Sequence, residues 1–121
     1  MGQKEIRKVL LMPWGKDQNN NYYPRQKVDF PRVTNIFIEF DTEKLVGKAK
    51  NFKNTPKGII CDVTMFDWPN ALNTIAPVLV IENVITKNSF KHCKGLTVRE
   101  LGLIKNHSFE KSNGNLRRKV K

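Results

Sequence analysis

The sequence is poor in the residue types from which most catalytic and metal sites are built. It has two histidines, two cysteines and three serines among 121 residues. A structural zinc ion needs four nitrogen or sulfur ligands at set spacings, and here a single adjacent pair, His92 and Cys93, comes closest. No serine lies in a Gly-x-Ser-x-Gly motif, and no glycine-rich phosphate loop is present.

Acidic residues on strands can hold magnesium, as they do in metal-dependent nucleases. The candidates in this sequence are Asp41, Asp62, Asp67 and Glu82. They lack the Asp…Glu-x-Lys arrangement that such sites use, and we interpret them as solvent-facing strand positions and caps. We therefore expect no metal, no cofactor and no enzymatic activity.

Long apolar runs are also absent. A membrane span needs roughly 20 apolar residues, whereas the longest run here, Ile75 to Ile81, is short and contains Pro77. The N-terminus lacks the charged and apolar regions of a secretion signal, so two cysteines indicate free thiols rather than a disulfide framework. We expect a soluble protein without a membrane partner, located in the cytoplasm or, if viral, in the virion.

What the sequence has in excess is positive charge. Lys and Arg number 22 against 11 acidic residues, which gives a formal net charge of +11. Residues 44–57 contain five lysines and no acid, whereas residues 58–86 contain no Lys or Arg at all. A small domain with this balance attracts polyanions, because neutralising phosphates releases their condensed counterions.

Apolar periodicity predicts mainly strands. The predicted strands cover residues 4–12, 33–41, 59–66, 77–85 and 96–104. Residues 42–49 fit either a short helix or the far end of the second strand. Asp67 as a cap and Pro69 in the first turn predict a short helix from about 67 to 75. The predicted connections are a polar loop over 15–32, a linker over 51–58 and a basic turn over 88–95.

This order of elements predicts a mostly β fold in one domain. Five strands with one short helix between the third and fourth is the order of the OB-fold, a small five-stranded barrel. A small β-sandwich fits nearly as well. We expect residues 1–104 to form a single β-rich domain and residues 105–121 to form a mobile basic tail.

Basic and aromatic side chains alternate in the first loop, a pattern that is typical of single-strand binding. Rings stack on bases while Lys and Arg contact phosphates. Trp14 and Phe30 are interpreted as rings that pack the loop on the core. The candidate binding residues are Tyr22, Tyr23, Arg25, Lys27 and Arg32 in the loop, Lys48, Lys50 and Lys53 in the linker region, Lys91 and Lys94 in the turn, and Arg117, Arg118 and Lys119 in the tail.

These patterns favour a protein that binds nucleic acid, preferably single-stranded, by charge and stacking and without catalysis. The alternative is a small structural or assembly component of a virion or other large particle. In that case the partners would be further copies of the chain or other assembly proteins, because exposed strand edges can extend a neighbouring sheet.

Overall fold

Alternating apolar and polar side chains place most of the chain in strands. We describe the protein from a computed structural model, which covers residues 3–17, 20–69 and 71–105 and the backbone of 118–120. No helix occurs among these residues. The strands are β1 (Lys4–Pro13), β2 (Gly15–Lys16), β3 (Asn21–Tyr23), β4 (Val28–Asp29), β5 (Val33–Ile38), β6 (Leu45–Asn54), β7 (Gly58–Met65), β8 (Thr74–Lys87), β9 (Phe90–Ile104) and β10 (Arg118–Val120).

The ten strands form one curled sheet, an open half-barrel. Strands β1, β7, β6 and β5 are neighbours in that order and pair antiparallel. Strand β9, with 15 residues, is the central strand of the other half of the sheet. One of its edges pairs with β8, and its other edge pairs in parallel with β3, then β4, then β5.

In the β1–β7–β6 part of this sheet the core lies on one side, whereas Ile75–Ile81 of β8 are buried on both sides. In β7 the alternation is complete, with Ile59, Cys61, Val63 and Met65 buried and the residues between them only half-buried. A strand that buries every second side chain must show its remaining side chains to the opposite side. The outward side of β7 and of its neighbours is therefore a surface, and it positions the site described below.

The prediction of a mostly β fold is confirmed, but the predicted small barrel is wrong. The described strands form one open sheet instead of a closed five-stranded barrel, and the alternative sandwich would need two sheets. The helix predicted from 67 to 75 is also wrong. Asn73 donates its backbone N–H to the Ile104 carbonyl, and β8 begins at Thr74. Pairing along the whole of β9 outweighs the local capping signal.

Three predicted connections are shorter than expected. Strand β6 starts at Leu45 and continues to Asn54, so the predicted linker is largely strand. The predicted basic turn reduces to Asn88 and Ser89, whose φ angles of 52° and 68° suit the mirror-image turn of a two-residue hairpin. The polar loop over 15–32 contains β2, β3 and β4.

The predicted tail, 105–121, lies mostly outside the described residues. Its mobility therefore stays a prediction for residues 106–117 and 121. The backbone of Arg118–Val120 is described, and it pairs in parallel with Leu79–Ile81 at the free edge of β8.

Candidate functional site

Three of the predicted lysines share one face of the sheet. In the register between β6 and β7, Lys48 lies opposite Thr64, and Lys50 lies opposite Asp62. Ala49, between the two lysines, lies opposite buried Val63. Beyond a bulge at residues 51–52 the outward position is taken again by Lys53, which pairs with Ile60. The lysines therefore lie on the side away from the core.

Two further cations join them from the edge strand β1. The register passes from Ile6 opposite Val63 to Val9 opposite Cys61, so Arg7 and Lys8 together oppose Asp62 alone. This two-against-one arrangement is a β-bulge, and the φ of 57° at Lys8 belongs to it. Hereafter the lysine face denotes the surface formed by Arg7, Lys8, Lys48, Lys50 and Lys53.

Asp62 lies at the centre of the lysine face and is held by both neighbouring strands. One carboxylate oxygen accepts the Lys8 backbone N–H at 3.0 Å, and the other accepts the Asn51 side-chain amide at 2.9 Å. The Asn51 bond, followed by the Lys8 bond, holds the pKa of Asp62 below its ordinary value of 3.8, and the charges of Arg7 and Lys53 add to this effect. The carboxylate thus accepts hydrogen bonds from the Lys8 backbone and the Asn51 amide, one from each bulge, and forms no ion pair with a described Lys or Arg side chain.

Asp62 stays ionised at neutral pH and offsets one positive charge, so five cations share this face with a single central carboxylate. Among the described residues the ion pairs are Arg7 with Glu5, at 4.0 Å, and Lys44 with Asp41, at 3.9 Å. Lys8, Lys48, Lys50 and Lys53 have no carboxylate within that distance in this part of the chain. Ammonium groups without a carboxylate partner are available for phosphate oxygens.

The lysine face also presents apolar groups to solvent. A depression of about 490 Å³ is lined by Arg7, Lys8, Lys53 and Asp62 among others, and a second of about 220 Å³ lies between Lys48, Lys50, Val33 and Phe66. Val33 is 51% exposed and Phe66 37% exposed. The face therefore combines cations with the exposed aromatic ring of Phe66.

The loop residues predicted to bind are not gathered at one place. Tyr23 is 1% exposed and belongs to the core cluster, so its ring cannot stack on a base, and its predicted role is withdrawn. Arg25 is exposed and donates from Nε to the Asn54 side-chain oxygen at 3.4 Å, at the end of β6. Lys27 and Arg32 are exposed immediately before β4 and β5.

The interpretation of Trp14 and Phe30 as packing residues agrees with their contacts. The Trp14 indole N–H donates to the Thr55 carbonyl at 2.8 Å, in the turn between β6 and β7. The Phe30 ring stacks on Phe52 with centroids 5.6 Å apart. Both rings hold the 15–32 segment against β6 and its following turn.

Tyr22, Lys91 and Lys94 lie at the other end of the sheet, around the β8–β9 hairpin. Tyr22 pairs with His92, and their rings meet edge to face at 4.9 Å. Lys94 follows His92 by two positions and shares its side of the strand, whereas Lys91 lies on the opposite side. The turn residues predicted as one group are thus divided between two sides of β9.

The remaining residues predicted to bind are Arg117, Arg118 and Lys119 of the tail. Arg117 lies outside the described residues, and for Arg118 and Lys119 the structure describes the backbone alone.

Sequence reasoning missed Arg7 and Lys8 on the lysine face and Lys16, Lys87, Phe90 and His92 near the hairpin. A signal for the first pair exists. Two adjacent cations separate apolar Ile6 from apolar Val9, and this spacing of three breaks the period of two and indicates a bulge. The hairpin residues have no comparable signal, because their grouping depends on parallel pairing of β3 with β9.

Within residues 3–105, as far as they are described, no group of three or more His, Cys, Asp or Glu side chains could hold a metal ion. The described residues also include no helix long and apolar enough to cross a membrane. No protein-family model, curated protein or solved structure matches the chain.

Proposed function

We propose that this protein binds single-stranded nucleic acid through the lysine face. The observation that supports the proposal is the grouping of five cations on one sheet face, four of them without a carboxylate partner in the described chain. Such a surface recognises a polyanion by its backbone and has no need of a sequence motif.

The geometry of a strand suits a chain of phosphates. Lys48 and Lys50 are two positions apart on β6, and side chains on one side of a strand repeat about every 6.7 Å. Lys53 continues this row beyond the bulge, and Arg7 and Lys8 lie on the far side of Asp62. An extended polyanion can therefore contact several cations in succession.

The preference for single strands rests on the exposed apolar groups. Phe66 lines the same depression as Lys48 and Lys50, and Val33 borders it. Only unstacked bases offer their faces to such a ring, and stacking on an aromatic side chain contributes about 1–3 kcal/mol per base. In a duplex these faces are covered by neighbouring bases, so Phe66 would add little.

Assembly into a particle is the second candidate, and the exposed apolar side chains favour it. Leu10, Val33 and Leu45 are each between 46% and 51% exposed, as interface residues of a free subunit would be. Against it stands the edge strand β1. Cations and a bulge interrupt this strand at Arg7 and Lys8, and such features prevent edge-to-edge pairing.

The test is a salt titration of binding to a fluorescent oligothymidylate and to a duplex of equal length. Lys48→Glu/Lys50→Glu is expected to weaken single-strand binding at least about ten-fold at low salt. The matched control is Lys44→Glu/Lys105→Glu, which makes the same charge change at exposed positions outside the lysine face. Its affinity should stay within about two-fold of the wild type.

Equal losses in both double variants would mean that net charge alone drives binding, and the lysine face would then have no special role. Absence of binding at low salt by a folded protein would overturn the proposal altogether. If the protein then sedimented as a large oligomer whose size depends on Leu10 and Val33, assembly would replace it.

A further inference from the structure

A second cationic surface lies at the closed end of the β8–β9 hairpin. A depression of about 290 Å³ is lined there by Lys16, Tyr22, Lys87, Asn88, Phe90 and His92, which together are called the hairpin patch. Strands β2, β3, β8 and β9 each contribute to it. Its volume is near the lower limit of ligand sites in proteins, which suits a small molecule or one unit of a polymer.

The hairpin patch contains two lysines and no carboxylate. The nearest acid in sequence, Asp17, accepts hydrogen bonds from the backbone and side chain of Asn21, both at 3.0 Å. Lys87 is exposed and forms no ion pair within the described residues. The patch is therefore positive, and an anion would meet no repelling group on its lining.

Three rings line the depression together with these lysines, and two contacts position them. The Lys16 ammonium lies over the Phe90 ring, 4.2 Å from its centroid. The Tyr22 and His92 rings hold each other edge to face. Fixed rings lose little conformational entropy on binding, and an ammonium group resting on a ring can still donate hydrogen bonds to an anion.

We propose that the hairpin patch binds a phosphorylated nucleotide unit, either as a free nucleotide or as the end of a strand. The phosphate is bound by Lys16 and Lys87, and the base packs against the half-exposed rings of Tyr22, Phe90 and His92. This inference does not depend on the lysine face, because the two surfaces have no residue in common.

The first test titrates the ¹⁵N-labelled protein with adenosine 5′-monophosphate, adenosine and inorganic phosphate. The monophosphate is expected to move the amide signals of Tyr22, Phe90 and His92 and to bind at least about ten-fold more tightly than either fragment. Equal binding of adenosine and its monophosphate, shifts confined to the lysine face, or no binding at millimolar concentration would each overturn the proposal.

Substitutions at exposed Lys87 and half-exposed Tyr22 separate ligand binding from folding. Lys87→Gln and Tyr22→Leu should each weaken monophosphate binding about five-fold or more. Lys44→Gln, an equal charge change elsewhere, should leave it unchanged. Amide spectra show whether each variant is folded. If folded Lys87→Gln and Tyr22→Leu proteins both bind like the wild type, the site is not the hairpin patch.

Oligothymidylates with and without a 5′-phosphate distinguish the two sources of the ligand. In the Lys48→Glu/Lys50→Glu background, binding through the lysine face is already weakened. Tighter binding of the phosphorylated strand identifies a strand end as the ligand, whereas equal binding identifies the free nucleotide. Both strands are compared in the same Lys48→Glu/Lys50→Glu protein. The comparison therefore reports on the hairpin patch even if the lysine face proves not to bind single strands.

Discussion

The lysine face and the hairpin patch are both positively charged, but the backbone beneath them differs. The lysine face lies on β1, β7 and β6, long strands joined by antiparallel pairing. The hairpin patch depends on β2 and β3, strands of two and three residues, and on a parallel pairing of β3 with β9 that spans two residue pairs. One surface is part of a continuous sheet, and the other is assembled from short pieces.

The cations of the two surfaces also differ in what they touch. On the lysine face Asp62 accepts hydrogen bonds from the Lys8 backbone and the Asn51 amide, and four ammonium groups have no carboxylate within ion-pair distance in the described chain. On the hairpin patch Lys16 already contacts the Phe90 ring. The two surfaces therefore present their charge differently: the lysine face has a row of separate cations, as a polymer would need, and the hairpin patch has a cation held against a ring, as a single planar group would need.

The largest effect is expected where the short strands are held to β9. The Gln26 side chain donates to the Pro24 and Cys93 carbonyls, each at 2.9 Å, and accepts the Gly95 N–H at 3.0 Å. Gln26→Glu places a carboxylate against two carbonyl oxygens, and about 2–3 kcal/mol of unfolding free energy should be lost. Urea unfolding measures it, with exposed Gln3→Glu as control. Equal stability of the two variants would show that this bridge is unimportant.

The next effect concerns how often each region opens. Cys61 lies under the lysine face and Cys93 under the hairpin, and both are buried. Burial, aided by the charge of Asp62, raises the pKa of the Cys61 thiol to about 12. Since β3 is short, Cys93 should react with a thiol reagent about ten-fold faster than Cys61 in native protein. Cys61→Ala and Cys93→Ala variants give the two rates, and a faster Cys61 would reverse this ranking of the two regions.

A smaller effect should appear in the salt dependence of single-strand binding. Each phosphate contact on a single strand contributes about 0.7 to the slope of log affinity against log salt. Lys50→Gln should therefore lower the slope by about that amount, whereas Tyr22→Leu on the hairpin patch should leave it unchanged. Fluorescence anisotropy at salt concentrations from about 50 to 200 mM measures both slopes. An unchanged slope in Lys50→Gln would remove that residue from the phosphate contacts.

The smallest effect is the pH dependence that Asp62, in the lysine face, gives to the free energy of unfolding. Its folded pKa lies below the ordinary 3.8, so the folded state binds this proton less readily than the unfolded state does. The stabilisation is present above about pH 4 and is lost as pH falls through the folded pKa. Asp62→Asn should flatten the acid limb of the stability curve, whereas Asp67→Asn, at an exposed position, serves as the control. An acid limb as steep as that of the wild type would contradict the role assigned to Asp62.

The lysines of β6 could be predicted as binding residues from their charge, but not as one face, since the sequence left 42–49 open between helix and strand and predicted a linker over 51–58. Lys48 and Lys50 flank Ala49 at a spacing of two, and a strand turns such residues to one side whatever its partners are. The bulge at Arg7 and Lys8 also has a local pattern. By contrast, the capping signal at Asp67 and Pro69 was misleading, since the pairing of β8 with β9 outweighs the small free energy of a cap.

The hairpin patch could not be predicted in the same way. Tyr22 and Tyr23 are adjacent and chemically identical, yet one is half-exposed and the other is buried. A strand sends neighbouring side chains to opposite sides, but which side becomes the core depends on the partner strand. For this segment the partner is β9, and Gln26 bonds to a residue 67 positions away.

By itself the amino-acid sequence determined that this chain is built of strands and that its charge is strongly positive. These properties follow from residue type and from a period of two, which each segment carries without help from the rest. The tertiary structure alone decided that the sheet stays open, that Asp62 accepts hydrogen bonds from the Lys8 backbone and the Asn51 amide, and that Tyr22, Phe90 and His92 line one depression. Such contacts join distant segments, and their free energy depends on how the whole chain packs.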